Sequence, residues 1–323
     1  MPRLLVIDAL NLFIRNWVIN PSMSTNGNPI GGTVGFLNSI RKMVNDFNPD
    51  EMIICWDGAG GSQKRRTVIK EYKEGRKPIR KNYEVAGMDK QSENENKYWQ
   101  QEILMEMLNE MPIIQLMLER TEADDIIAFV TKSPKYSGWQ KVIISSDKDF
   151  IQLLDDETVL YRPIAKKAMN KKSVIEEFGI SPQNFAIARA MAGDKSDNLE
   201  GIRGAGLKTI SKRLPTLREE KEHYLNDIYE MCDNAESKVK FYSNVVENWN
   251  TVELNYKVMN LVPPSISVQG TQKINYAIDN FVPELNATGL RKMSIQHGFG
   301  SFSWDNYFAS LSGVIKRRKL IDG

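Results

Sequence analysis

Leu4-Leu5-Val6-Ile7-Asp8 is a short apolar run that stops on a carboxylate, and the same figure returns twice. Met52-Ile53-Ile54-Cys55-Trp56 runs into Asp57, and Val142-Ile143-Ile144-Ser145-Ser146 runs into Asp147. Near-continuous apolar runs of this length suit strands of a parallel sheet covered on both faces. Two further runs, 113–117 and 158–162, have the same character, so the first half reads as strands 3–8, 51–56, 113–117, 141–146 and 158–162. Between the first two, apolar residues from Thr33 to Val44 recur at helical spacing, with Thr33 available as N-cap. That makes a βαβ unit with a right-handed crossover. A second helix is expected over 98–110. Open sheets of this class bind ligands beyond the carboxyl ends of their strands, where these aspartates fall.

If those strand ends share one rim, nine acidic residues become candidates for a single site: Asp8, Asp57, Glu122, Asp124, Asp125, Asp147, Asp149, Asp194 and Asp197. So many anions on one rim repel each other unless cations lie between them. The economical reading is a hard-metal site built for phosphate chemistry. Glu122, Asp124 and Asp125 would open a helix after Thr121, where the dipole tolerates negative charge. Taken singly, Asp124-Asp125 also reads as an ordinary acidic helix start, and Asp147-Lys148-Asp149 as a turn.

Composition narrows the alternatives. The chain has 323 residues, 41% of them hydrophobic and 26% charged, and a net charge of +2, so any nucleic-acid affinity must come from segregated charge. Two cysteines, Cys55 and Cys232, provide neither a disulfide framework nor zinc spacing, and two histidines, His223 and His297, argue against a histidine metal centre or a catalytic triad. Cys55 reads as a buried strand residue and both histidines as surface or packing residues. The apolar N-terminal stretch is interrupted by Asp8, Asn11 and Arg15 with no small-residue cleavage site after it, and no run approaches a membrane span. The expected location is the cytoplasm, that of a bacterial host if the chain is phage-encoded.

Residues 58–97 break the strand–helix rhythm. Within 64–81, nine basic residues, among them Lys64, Arg65, Arg66, Lys73 and Arg76, face two acids, a local charge of +7. A solvated loop is the bland reading. Proximity to an acidic rim favours an element that grips phosphate, with Tyr72 among the cations as a ring able to stack on a base. After about residue 172 the sequence turns helical. There Gly193 to Thr209 combines Asp194 and Asp197 with Gly201, Gly204 and Gly206, then Lys208 and Lys212 on a following helix. Such glycines let backbone approach a ligand, and a helix start offers free N–H groups to phosphate.

Five blocks in this order resemble the 5′-nuclease superfamily, which includes flap endonucleases and the 5′-exonuclease domain of bacterial DNA polymerases. They are Val6-Ile7-Asp8-Ala9-Leu10-Asn11, Cys55-Trp56-Asp57-Gly58, Glu122-Ala123-Asp124-Asp125, Ser145-Ser146-Asp147-Lys148-Asp149-Phe150, and Gly193-Asp194 through Lys208-Thr209. In size and style the chain is most similar to the bacteriophage 5′→3′ exonuclease and ribonuclease H type. Glu71-Tyr72-Lys73-Glu74-Gly75-Arg76 resembles the base of the family's helical arch.

The resemblance implies a parallel-sheet, PIN-like α/β nuclease core over 1–172 with an arch at 58–97. A mostly helical DNA-binding region would follow over 173–323, with a helix–three-turn–helix motif at about 190–212. It implies a first metal cluster of Asp8, Asp57, Glu122, Asp124 and Asp147. A second cluster would comprise Asp149, Asp194 and Asp197, with Asp125 as acidic neighbour. Lys73 matches the arch lysine that approaches the scissile phosphate, Arg76 its partner, and Tyr72 an aromatic near the DNA end. Asn11 and Arg15 match substrate-facing positions. Two Mg²⁺ ions, with Mn²⁺ as a substitute, are implied, and K⁺ at the glycine-rich hairpin. Glu200 stands where the family often has proline, and Arg203 where it varies; both bear on the hairpin rather than on the ligands.

The activity so implied is metal-dependent hydrolysis of DNA, and of RNA primers in RNA–DNA hybrids, at 5′ ends, nicks and flaps during replication. The enzyme would be a monomer, with single-strand-binding protein or a sliding clamp as candidate partners and no membrane. One alternative is a structure-specific DNA-binding protein without nuclease activity. Another is a phosphatase-like hydrolase with Asp8 as nucleophile, disfavoured because Leu10 stands where that scheme wants a second aspartate. The aromatic cluster Phe299, Phe302, Trp304, Tyr307 and Phe308 reads as local core. Lys316-Arg317-Arg318-Lys319 reads by default as a solvated tail, with contact to duplex or a replication partner as the other option.

Overall fold

The three aspartate-terminated runs occupy the centre of one sheet in a computed structural model that describes residues 1–76, 79–85, 87–300 and 302–322. Its strands are β1 (Arg3–Asp8), β2 (Glu51–Trp56), β3 (Ile114–Met117), β4 (Gln140–Ile144), β5 (Thr158–Arg162) and β6 (Lys167–Met169), in the order β3-β2-β1-β4-β5-β6. The first five are parallel and β6 runs antiparallel to β5. The chain winds from β1 through β2 to β3 and then returns across β1 to β4. This switch point lies between β1 and β4, where open α/β sheets leave a crevice. Register carries the argument further: Ile7 pairs with both Ile54 and Ile144, and Asp8 with Cys55. Asp57 and Ser145 therefore leave the sheet at the same edge as Asp8.

Alternation along the central strands fills both faces. Leu5, Ile7, Met52, Ile54, Val142 and Ile144 join a core with the helices Ala9–Ile19, Gly31–Phe47 and Lys90–Asn109. Phe299, Trp304, Tyr307 and Phe308 complete that core as expected. Leu4, Val6, Ile53, Cys55 and Ile143 join the other, with helix Ala123–Thr131 and the helices from Lys171–Phe178 to Val268–Asp279. Cys55 is fully buried, and burial pushes its thiol well above the ordinary range. His223 is buried, its ring nitrogen 2.6 Å from the Thr216 hydroxyl, and His297 packs edge-on against Trp99. No helix among the described residues is long and apolar enough to cross a membrane.

Four local expectations are corrected. Thr33 is not an N-cap: the helix begins at Gly31, and the Thr33 hydroxyl donates to the Gln100 carbonyl at 2.9 Å inside it. The helix expected at 98–110 begins at Lys90, because Asp89 accepts from Ser92 N at 2.8 Å and caps it early. β4 ends at Ile144 rather than 146, since Ser145 and Ser146 turn to bond Asp8 and Asn11. Lys316–Lys319 is not a solvated tail but part of helix Trp304–Asp322. In it, Arg317 Nε donates to the Pro49 carbonyl at 2.9 Å, and Arg318 Nε lies 3.2 Å from Glu51 Oε2 at the far end of β2.

Candidate active site

Asp8 stands where β1 passes into helix Ala9–Ile19, and its carboxylate caps that helix by accepting from Asn11 N at 3.1 Å. Its other oxygen accepts from the Ser145 hydroxyl across the switch point at 2.8 Å. Ser145 Oγ also accepts from Asp147 N, and the Asn11 side chain accepts from Ser146 N, so β1 and β4 brace each other's ends. Asp57, at the open lip, accepts from Ala123 N at 3.0 Å and so fixes the start of the helix carrying Asp124 and Asp125. Asp147 accepts from Asp149 N at 2.8 Å.

The electrostatics show how closely these acids crowd. Burial pushes Asp8 up to about 7 against the pull of Ser145 and Asn11, and the charges of Asp57 and Asp147 add to the rise. Burial raises Asp124 well above the carboxylate range, and Asp147 repels it further while Lys73 offsets part of the effect. Asp149 rises to about 6, by burial and then Asp147, with Arg189 opposing. Asp57 is raised as well, although it is exposed at the lip: the protein around it displaces part of its water, and the charge of Glu122 adds to the rise.

Cations of the protein already sit among them. Lys73 Nζ is 2.8 Å from Glu122 Oε1, and Arg65 donates to Glu122 Oε2 at 2.7 Å and Asp125 Oδ2 at 2.9 Å. Arg189 donates to Asp149 at 3.0 Å and also to Asp194, and Arg76 pairs with Asp197. Loss of water disfavours the Lys73 ammonium, yet Glu122 and Asp124 outweigh it and hold its proton more tightly than usual. Asp194 is held below the ordinary range: burial opposes ionisation, but the bonds from Ser196 and Arg189 prevail. Among the described residues, no three acidic, histidine or cysteine side chains close into a ready ligand set. The donors are all hard oxygens, and Asp8, Asp57, Asp124 and Asp149 each carry repulsion from a neighbouring acid that a divalent cation would relieve. Mg²⁺ retains several of its waters and needs few direct carboxylates, so the residues present fit it.

Not every expected residue faces this basin. Asp125 is 2% exposed, and both its oxygens are engaged, one by Arg65 and the other by Ser265 N at 2.8 Å, so it points into the protein. Arg65 is a buried countercharge whose Nε also holds the Val258 carbonyl, which leaves it unavailable to a phosphate. Tyr72 presents no face to a base: it is 4% exposed and packs with Leu199, Val258 and Met259. Gly201 approaches its own chain rather than a ligand, since a Cβ there would lie 2.0 Å from the Ala192 carbonyl. Gly204 takes a φ of +83°, and both it and Gly206 border open space. Lys208 and Lys212 are exposed on helix Leu207–Arg213, with Thr209 half-buried between them. Among the described residues neither these lysines nor the half-buried Arg15 pairs with an acid. Lys64 and Arg66 are exposed near the arch base and donate to the carbonyls of Ser265 and Tyr72. The expected arch, 58–97, includes residues 77, 78 and 86, which lie outside the described residues.

Residues 3–179 match the family model described as 5′-3′ exonuclease, N-terminal resolvase-like domain. The chain belongs to that 5′-3′ exonuclease family. It is 28% identical over 296 residues to the flap endonuclease Xni of Shewanella loihica, covering 89% of this chain and 99% of that one. It is 28% identical over 245 residues to DNA polymerase I of Caldicellulosiruptor bescii, covering 74% of this chain and 26% of that protein. The chain thus spans about a quarter of the polymerase relatives' length. In fold it is similar to T5 5′-exonuclease, solved with zinc bound, with a TM-score of 0.68 and 18% identity over 86% of this chain and 99% of that one.

Within this 5′-3′ exonuclease fold, sequence reasoning missed two residues that shape the basin. Ser145 ties Asp8 to β4, and Arg189 separates Asp149 from Asp194. Arg189 left a signal: it is the one charged residue in the otherwise apolar stretch Phe185–Ala192. Ser145 left a weaker one, as the first of two adjacent serines in the block that leads to Asp147.

Proposed function

We propose that this protein is a divalent-metal-dependent 5′ nuclease that hydrolyses phosphodiesters at 5′ ends, nicks and flaps of DNA, and in RNA–DNA hybrids. The observation that carries the reading is the crowding of Asp8, Asp124 and Asp149 around Asp147 at the switch-point edge, where burial raises all three and the charge of Asp147 adds to each. Asp8, Asp57, Glu122, Asp124 and Asp147 would hold one divalent ion, Asp149, Asp194 and Asp197 a second; Mg²⁺ is favoured by the all-oxygen donors, with Mn²⁺ as a substitute. Such ions supply Lewis-acid polarisation of the phosphodiester and acidify water.

The chain's own part is positioning and charge. Lys73, already drawn to the basin by Glu122, would neutralise charge developing on the scissile phosphate, where a fixed cation in a dry site is worth most. Arg76, three residues further along a non-helical turn, would bind the adjoining phosphate. Lys208 and Lys212, exposed beside Gly204 and Gly206 and among the described residues unpaired with acids, would grip the duplex backbone, with K⁺ held by hairpin carbonyls. Residues 1–172 would carry the chemistry and 173–323 the duplex. Two buried free cysteines suit a reducing cytoplasm, and single-strand-binding protein or a sliding clamp would be replication partners.

Incubating 5′-labelled flap, nicked duplex and RNA–DNA hybrid side by side with Mg²⁺, and reading product lengths, tests the proposal. Cleavage near the 5′ junction that stops on adding EDTA is expected. Tight binding with no metal-dependent cleavage would leave a structure-specific DNA-binding protein instead.

A further inference from the structure

The segment that carries Lys73 is held in place by the hairpin 194–199, which is far from it in sequence. Lys73 has a φ of +59°, a left-handed conformation that a lysine adopts only when its surroundings impose it. Its N–H donates to the Asp197 carbonyl at 2.9 Å. The Asn198 side chain donates to the Glu71 carbonyl at 3.0 Å, and Arg76 Nε to the Ser196 carbonyl at 3.2 Å. Below these bonds Tyr72 packs on Leu199. Asn198 itself has a φ of +59°, which asparagine tolerates better than most residues. Only a donor fits against the Glu71 carbonyl, so the amide is chemically specified.

We infer that Asn198 is a positioning residue for Lys73: its amide, clamping the Glu71 carbonyl, sets the turn from which the ammonium reaches the basin. The hairpin residues Lys195 and Asn198, with Gly204 just beyond them, line a cleft of about 1090 Å³ together with Ile69 and Glu71 from the arch base. A duplex backbone seated against the hairpin therefore bears on the contacts that aim Lys73, which couples recognition of the duplex to placement of the cation. This inference rests on the proposed role of Lys73 in phosphate chemistry.

The test is a double-mutant cycle. Asn198→Gly keeps the positive φ and removes the amide; Asn198→Asp keeps the size and sets an oxygen against the Glu71 oxygen. On a 5′-labelled flap with saturating Mg²⁺, Asn198→Gly should lower the single-turnover rate roughly tenfold, the scale expected for a sub-ångström displacement. Duplex affinity measured in EDTA should stay within about twofold, and in a Lys73→Ala background the same substitution should change the rate by less than about twofold. Equal losses in both backgrounds, or a loss of affinity matching the loss of rate, would overturn the inference. Were Lys73→Ala itself to cleave at the unsubstituted rate, the role of Lys73 would fail, a result separate from additivity. Thermal melts check that each variant folds, and if Asn198→Gly does not, Asn198→Asp carries the same cycle.

Discussion

Lys73 Nζ lies 2.8 Å from Glu122 Oε1, so this ammonium is anchored to the helix start that bears Asp124. Lys73→Ala should lower the rate of flap cleavage roughly 10²- to 10³-fold, the range seen when a fixed transition-state donor is removed. DNA affinity should change by less than about threefold. Single-turnover rates and equilibrium binding on the same flap check this, and matched losses in both would contradict an electrostatic role.

Arg65 neutralises Glu122 and Asp125 from inside the protein. Removing one partner of a buried ion pair typically costs about 3–5 kcal/mol, because the remaining charge is left uncompensated. Arg65→Ala should lose stability on that scale in urea unfolding. A loss below about 1 kcal/mol would mean that the pair behaves as an exposed one.

The raised carboxyls link stability to pH. Asp8, at about 7, and Asp149, at about 6, bind protons more tightly in the folded state than their unfolded values near 4 allow. Their contribution to metal-free stability is therefore greatest below the unfolded value and falls as pH rises toward 7. A divalent cation held by these carboxyls would replace the proton above that window. Saturating Mg²⁺ should raise the melting temperature by several degrees at about pH 8 and by far less at about pH 5. An equal rise at both would argue against metal binding by these carboxyls.

Lys208 and Lys212 are exposed and, among the described residues, unpaired with acids. Each, changed to alanine, should weaken duplex binding similarly across sequences and reduce the slope of log affinity against log salt by about 0.9. Binding titrations at several salt concentrations measure the slope. An unaltered slope would remove that lysine from the interface.

Val314 is 1% exposed, and Arg317 and Arg318 reach Pro49 and Glu51 beneath the sheet. Deleting 314–323 should lower the melting temperature by roughly 5 °C or more. A truncated protein with unchanged melting would restore the solvated-tail reading.

How much of this was legible follows from the range of each interaction. The strands Arg3–Asp8 and Glu51–Trp56 were readable to the residue, because an apolar run closed by a carboxylate is a local pattern. The start of helix Gly31–Phe47 was not, since Thr33 is satisfied by Gln100, 67 residues away. Tyr72 and Arg65 looked like nucleic-acid contacts because they lie in a basic run. Whether a cation in such a run meets water, phosphate or a buried acid is set by what packs over it.

The sequence by itself determined the parallel sheet, the edge on which the acids collect and the all-oxygen chemistry of the site, because side-chain type and apolar spacing act within one strand or helix. Only the tertiary structure decided which acids face the basin and which cations neutralise them: Asp125 turned inward to Arg65, Arg189 set between Asp149 and Asp194, and the turn of Glu71 and Lys73 held by Asn198 and Asp197. Those partners are separated by as many as 127 positions along the chain, and distance in space, on which electrostatic energy depends, is not encoded by distance in sequence.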